Sequence, residues 1–144
     1  MAKFQVTTFL NRPLQEVFDF TSNPANWPQW QSGTVSADWS SDRPVGVGST
    51  MHTVGRLLGR ELVSDFEITQ WDPPNLWGMK MDNGPIKVEN IIKYEPKDGS
   101  TLLVQELQGE VGGFFKIAEG LAVKQIQKQV ETDHNALKKL LEAK

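Results

Sequence analysis

Two side chains of this sequence could move a proton inside a cavity: His52 in the stretch STMHTVG and Tyr94 in IKVENIIKYE. On a strand, His52 shares a face with Thr50, Val54 and Arg56, and a lone strand histidine is more often structural or surface-exposed than an acid or base. Alternation along the second stretch puts Ile86, Val88, Asn90, Ile92 and Tyr94 on one face, opposite Lys87, Glu89, Lys93 and Glu95. On such a greasy face Asn90 and Tyr94 either orient a ligand or satisfy backbone groups at the rim of a sheet. Asp65 and Glu67 alternate with Ser64, Phe66 and Ile68. If Phe66 faces inward both carboxylates face water, the cheaper arrangement for charge; the opposite register would make them general acid–base candidates. His134, between Asp133 and Asn135, is expected to be solvated.

Other chemistries are excluded by what the motifs lack. With no cysteine, no HExxH and two histidines far apart in the chain, no metal site is expected. GVGSTM offers Gly46 and Gly48 without a third glycine or a following helix, so no dinucleotide cofactor is expected, and no cofactor of another kind is indicated. There is no GxSxG elbow. No catalytic residue is assigned beyond the candidates His52 and Tyr94.

A chain of 144 residues fits one domain, 1–144, with a single core. Its 15 Lys and Arg are scattered against 18 Asp and Glu, for a net charge of −3, which argues against nucleic acid as a partner. The opening MAKFQVTTFL lacks the apolar core of a signal peptide, and no run approaches the roughly 18 apolar residues of an integral membrane segment. A soluble, cytoplasmic protein is expected.

The elements that must position these residues follow from periodicity. KFQVTTFL, Lys3 to Leu10, alternates as a strand. Pro13 opens a short helix carrying the Leu14, Val17, Phe18 stripe. In TSNPANWPQWQSG, Pro24 and Pro28 limit a second helical piece, on which Trp27 and Trp30 share one side. Strands are expected over Thr34 to Ser40, Gly48 to Leu58, Arg60 to Trp71, Leu76 to Met81, Ile86 to Tyr94 and Thr101 to Gln108, joined by turns too short for parallel crossovers. From Gly113 to Lys144, Ala118, Ala122, Ile126, Val130, Leu137, Leu140 and Leu141 recur at helical spacing. That helix must lie across the sheet, and a curved antiparallel sheet gripping it leaves a space between the two.

In NRPLQEVFDFTSNPANWPQW, RPVGVGSTM and FEITQWDPPNLWGMKM, and in the order of its elements, the chain resembles the START-like helix-grip (SRPBCC) superfamily, including its polyketide cyclase/dehydrase-like and lipid-transport members. The resemblance implies an α+β helix-grip fold: a curved seven-stranded antiparallel sheet around a long C-terminal helix, with two short helices after the first strand. It also implies a hydrophobic cavity between helix and sheet, but no reaction, because members range from enzymes to carriers.

The expected ligand-binding residues are Trp27, Trp30, Phe66, Trp77, Met79, Met81, Asn90, Tyr94, Phe114 and Phe115. Trp27 and Trp30 either plug the open end of the core or gate a ligand, with plugging favoured. Trp77, Met79 and Met81 form an adaptable aromatic and thioether face, and Phe114 and Phe115 guard the cavity mouth. The expected function is binding or transport of a small hydrophobic molecule: a lipid, polyketide, isoprenoid or aromatic compound. The alternatives are a cyclase or dehydratase using His52 or Tyr94, and a protein-interaction module with a filled cavity. A homodimer is compatible with the pattern.

Overall fold

The structure is a computed structural model, and it describes residues 2–42, 44–57, 59–83, 86–111 and 119–143. Strand β1 (Ala2–Leu10) leads into helix α1 (Leu14–Thr21) and a 3-10 helix (Pro24–Gln29) whose first turn is capped by the Asn23 side chain. Six strands follow: β2 (Thr34–Trp39), β3 (Thr50–Leu57), β4 (Arg60–Asp72), β5 (Leu76–Asn83), β6 (Ile86–Lys97) and β7 (Ser100–Val111). Helix α2 (Glu119–Glu142) closes the chain. The expected helix began at Gly113; that start lies outside the described residues, and the 24 residues described span about 36 Å at the α-helical rise.

All seven strands form one antiparallel sheet in the order β1-β7-β6-β5-β4-β3-β2. Turn chemistry sets the register. Between β6 and β7, Asp98 and Gly99 both take positive φ (51° and 84°), the backbone that an Asp-Gly pair tolerates in a two-residue hairpin turn, and Lys97 pairs with Ser100. Register shifts between Thr34 and Ser36 and between Ile68 and Gln70 interrupt the pairing regularity, as bulges that bend a sheet do.

The register puts one row of apolar side chains on the concave face and the charged residues on the other. Helix α2 lies against β1 over this face, with Leu137 and Leu141 fully buried.

Where β2 begins, two backbones meet with no room for side chains. The Arg56 amide donates to the Gly33 carbonyl at 2.7 Å, and a Cβ on Gly55 would stand 2.8 Å from that same oxygen. Gly55→Ala should therefore destabilise the fold by about 1–3 kcal/mol, the usual cost of forcing extra volume into a packed site. Urea unfolding of the purified variant measures it.

Candidate functional site

The concave face changes character from one end to the other. Near the tight end, where β1 finishes and β7 begins, Leu10, Trp77 and Leu103 are 0%, 1% and 1% exposed. Along the same strands toward the far end, Met79, Met81, Asn90 and Gln105 retain 6%, 7%, 7% and 8%, and Val88, Leu107 and Phe4 are only half-buried. The helix above follows the same gradient: Asp133, His134, Leu137 and Leu141 are buried, whereas Ile126 and Val130 are half-buried. Burial between sheet and helix is thus complete at one pole and less complete toward the other, the welded and the open pole respectively.

The welded pole is aromatic. Trp27 stacks on Trp77 with ring centroids 6.0 Å apart and planes 18° off parallel, and Phe18 meets Tyr94 and Trp71 edge-on at 5.2 and 5.5 Å. The side-chain polar atoms of Trp27, Trp77 and Tyr94 are all partnered. The Trp27 indole N–H donates to the Thr21 carbonyl at 2.9 Å, and the Trp77 indole donates to the Tyr94 oxygen at 2.8 Å. Tyr94 and Thr21 hydroxyls are 2.6 Å apart, and because Thr21 donates onward to the Val17 carbonyl at 2.7 Å, the Tyr94 hydrogen points at Thr21. Burial pushes the Tyr94 hydroxyl well above its ordinary value. Trp27, Trp77 and Tyr94 are therefore all buried in one core cluster, which they plug at this end.

Trp30 is buried between the 3-10 helix and α2, its ring 6.5 Å from that of His134. Its indole N–H has no partner among the described residues.

Toward the open pole, Met79 and Met81 on β5 lie across from Asn90 and Val88 on β6, and Phe66 on β4 lies across from Met51. One polar chain crosses this apolar face. The Thr8 hydroxyl on β1 lies 2.8 Å from His134 Nδ1, His134 Nε2 lies 2.7 Å from Gln105 Oε1 on β7, and Gln105 Nε2 donates to Asn90 Oδ1 at 3.2 Å. His134 is 1% exposed, so the expectation of a solvated residue is corrected: it falls on the same helical stripe as Val130, Leu137 and Leu141. Desolvation lowers its pKa from 6.5 to about 4, and the ring is neutral at physiological pH. Next to it, Asp133 accepts from the Ser32 amide and hydroxyl at 3.0 Å each, tying α2 to the entry of β2, with burial raising its carboxyl. Sequence reasoning missed Gln105 and His134; the signal was the alternation of Gln105 with Leu103 and Leu107.

His52 sits on the opposite, convex face. Its side chain is 51% exposed, and its Nδ1 lies 2.8 Å from an Asp65 oxygen across the β3–β4 pair. The sheet itself lies between it and the concave face. Asp65 and Glu67 face water as expected, Glu67 pairing with Lys80 at 3.6 Å. Phe114 and Phe115 lie outside the described residues. A separate half-open pocket of about 280 Å³ lies at the rim behind the plug, between Phe18, Asp19, Trp39 and Trp71. Among the described residues no cluster of acidic, histidine or cysteine side chains could hold a metal ion, and no helix is long and apolar enough to cross a membrane.

Two outcomes follow from these geometries. Tyr94→Phe leaves the Trp77 and Thr21 groups short of a partner and should cost about 1–3 kcal/mol in urea unfolding. Because the unfolded histidine takes up a proton near its ordinary value and the folded one only near pH 4, His134 should make stability fall as pH drops from 6.5 toward 4, by about 3 kcal/mol in all. Asp133, whose carboxyl is raised, works against this at the acid end. Unfolding free energies at pH 7 and 5 should differ by about 2 kcal/mol in the native protein and by much less in His134→Gln.

The same architecture occurs in solved structures. A START superfamily protein from Mycobacterium smegmatis superposes with a TM-score of 0.84 at 17% identity, over 98% of this chain and 97% of that one. The di-domain ARO/CYC StfQ from the steffimycin biosynthetic pathway superposes with a TM-score of 0.77 at 10% identity, over 98% of this chain and 50% of that one. An uncharacterized protein of Mycobacterium tuberculosis is 29% identical over 70 residues, 49% of this chain, and the match spans only 40% of that relative's length. Across residues 1–142 the sequence matches the family described as polyketide cyclase/dehydrase and lipid transport, and the chain belongs to that family.

Proposed function

We propose that the protein binds a small, mainly apolar molecule on the concave face, beneath the N-terminal half of α2. The observation that carries this reading is the gradient of burial along one continuous apolar face. The welded pole supplies stability, and the loosened pole keeps methionine, aromatic and aliphatic surface that neither the sheet nor the helix covers fully. Thioether side chains adapt to ligands of differing outline, which suits a binding surface more than a rigid core. Family membership supports a hydrophobic ligand.

Binding or carriage is favoured over cyclisation or dehydration by a specific arrangement. Of the two side chains considered for proton transfer, Tyr94 gives its hydrogen to Thr21 inside the plug, and His52 stands on the far side of the sheet.

The test is a filled site. Val88→Trp adds bulk at the open pole, where Val88 is half-buried across from Met81, while leaving the plug untouched, and it should lower affinity for an apolar probe such as 2-ethylnaphthalene at least tenfold with unfolding little changed. A folded variant with undiminished affinity would overturn the assignment. Trp77→Ala should behave in the reverse manner, removing about 3–5 kcal/mol of stability through loss of a buried aromatic.

A further inference from the structure

Building on the ligand site just described, we infer that the polar chain from Thr8 through His134 and Gln105 to Asn90 selects a neutral ligand carrying a carbonyl-type acceptor oxygen, which takes a hydrogen bond from the Asn90 amide. Gln105 Oε1 can only accept, so His134 Nε2 carries the hydrogen, Nδ1 accepts, and the direction of every link follows from that tautomer. The Thr8 hydroxyl donates to His134 Nδ1 at 2.8 Å; His134 Nε2 then carries the hydrogen and donates to Gln105 Oε1 at 2.7 Å; Gln105 Nε2 donates to Asn90 Oδ1 at 3.2 Å. The chain ends at Asn90 Nδ2, a donor for which no hydrogen bond is found among the described residues.

That donor is placed where a ligand would lie. Asn90 is flanked across the sheet by Met79 and Leu107, at the point where the concave face begins to loosen. Asn90 is 7% exposed, and its Nδ2 is not sealed off as the Trp30 indole N–H is, so the amide is available to donate to an acceptor oxygen that reaches this face.

Charge narrows the class further. Every described residue sharing this face on β1, β5, β6 and β7, from Phe4 to Leu107, is uncharged, and Asp133 on the helix above is engaged by Ser32. A carboxylate or ammonium ligand would enter without a counter-ion, at the cost of burying a bare charge. The imidazole does not supply one, since burial keeps it neutral at physiological pH.

The experiment uses three probes of one shape, 2-acetylnaphthalene, 2-ethylnaphthalene and 2-naphthoate, titrated into the full chain and followed by the methyl signals of Met79 and Met81. The ketone should bind about tenfold more tightly than the hydrocarbon and more tightly than the carboxylate, and Asn90→Leu should remove the ketone's advantage while sparing hydrocarbon affinity. Equal affinity for ketone and hydrocarbon, or preference for the carboxylate, would overturn the inference and leave the apolar site standing. Failure of all three to move the methionine signals would sink the site and the inference together. Should Asn90→Leu not fold, nitrogen NMR of the native protein decides independently: the Nε2–H tautomer of His134 is required, and an Nδ1–H tautomer would reverse the chain and present an acceptor instead.

Discussion

A neutral imidazole holds the long helix to the sheet. His134 reaches β1 through Thr8 and β7 through Gln105, so a single ring on α2 bridges two neighbouring strands. Leu137 and Leu141, one and two turns further along the helix, bury themselves beside it. The contact works only while the ring is uncharged, because a buried imidazolium would face one fixed acceptor and one group obliged to turn round. With the C-terminal half of the helix held in this way, its N-terminal half need not be buried as deeply, and Ile126 and Val130 are not.

The two poles of the concave face solve opposite problems with similar residues. At the plug, indoles and a phenol stack and hydrogen-bond until no polar atom is spare, which gives a unique, rigid packing. At the loosened pole the large side chains are methionines, phenylalanines and aliphatics with no hydrogen-bond geometry to enforce. A buried polar chain would be a poor choice for stability alone, since apolar replacements of similar shape are often as stable. It runs instead from the firmly held half of the face at Thr8 and His134 to the less deeply buried Asn90, and so ties the two halves together.

Most of the architecture was legible because periodicity and turn chemistry act locally. The alternation of KFQVTTFL, the Asp98-Gly99 turn and the prolines around Trp27 and Trp30 each determine a short stretch without reference to the rest. The pairing of Trp27 with Trp77, and the enclosure of Tyr94 by Thr21, were not legible, because they join segments far apart in the chain. His134 shows why a polar flank misleads: Asp133 beside it faces Ser32, so the helix buries two ionisable neighbours at once, and only the spacing to Val130 and Leu137 betrays it.

The β1–β7 ladder pairs Ala2 with Gly109 and Leu10 with Thr101, and α2 then packs back on β1 from the far end of the chain. The hairpins from β2 to β7 can form early, but the concave face has no second wall until these distant segments close on each other, a slow step for contacts so remote in sequence. The covered concave face therefore comes into being only with the completed fold. Under the proposed function, a molecule held there would touch both β1 and α2, and its affinity would add to the stability of the whole domain.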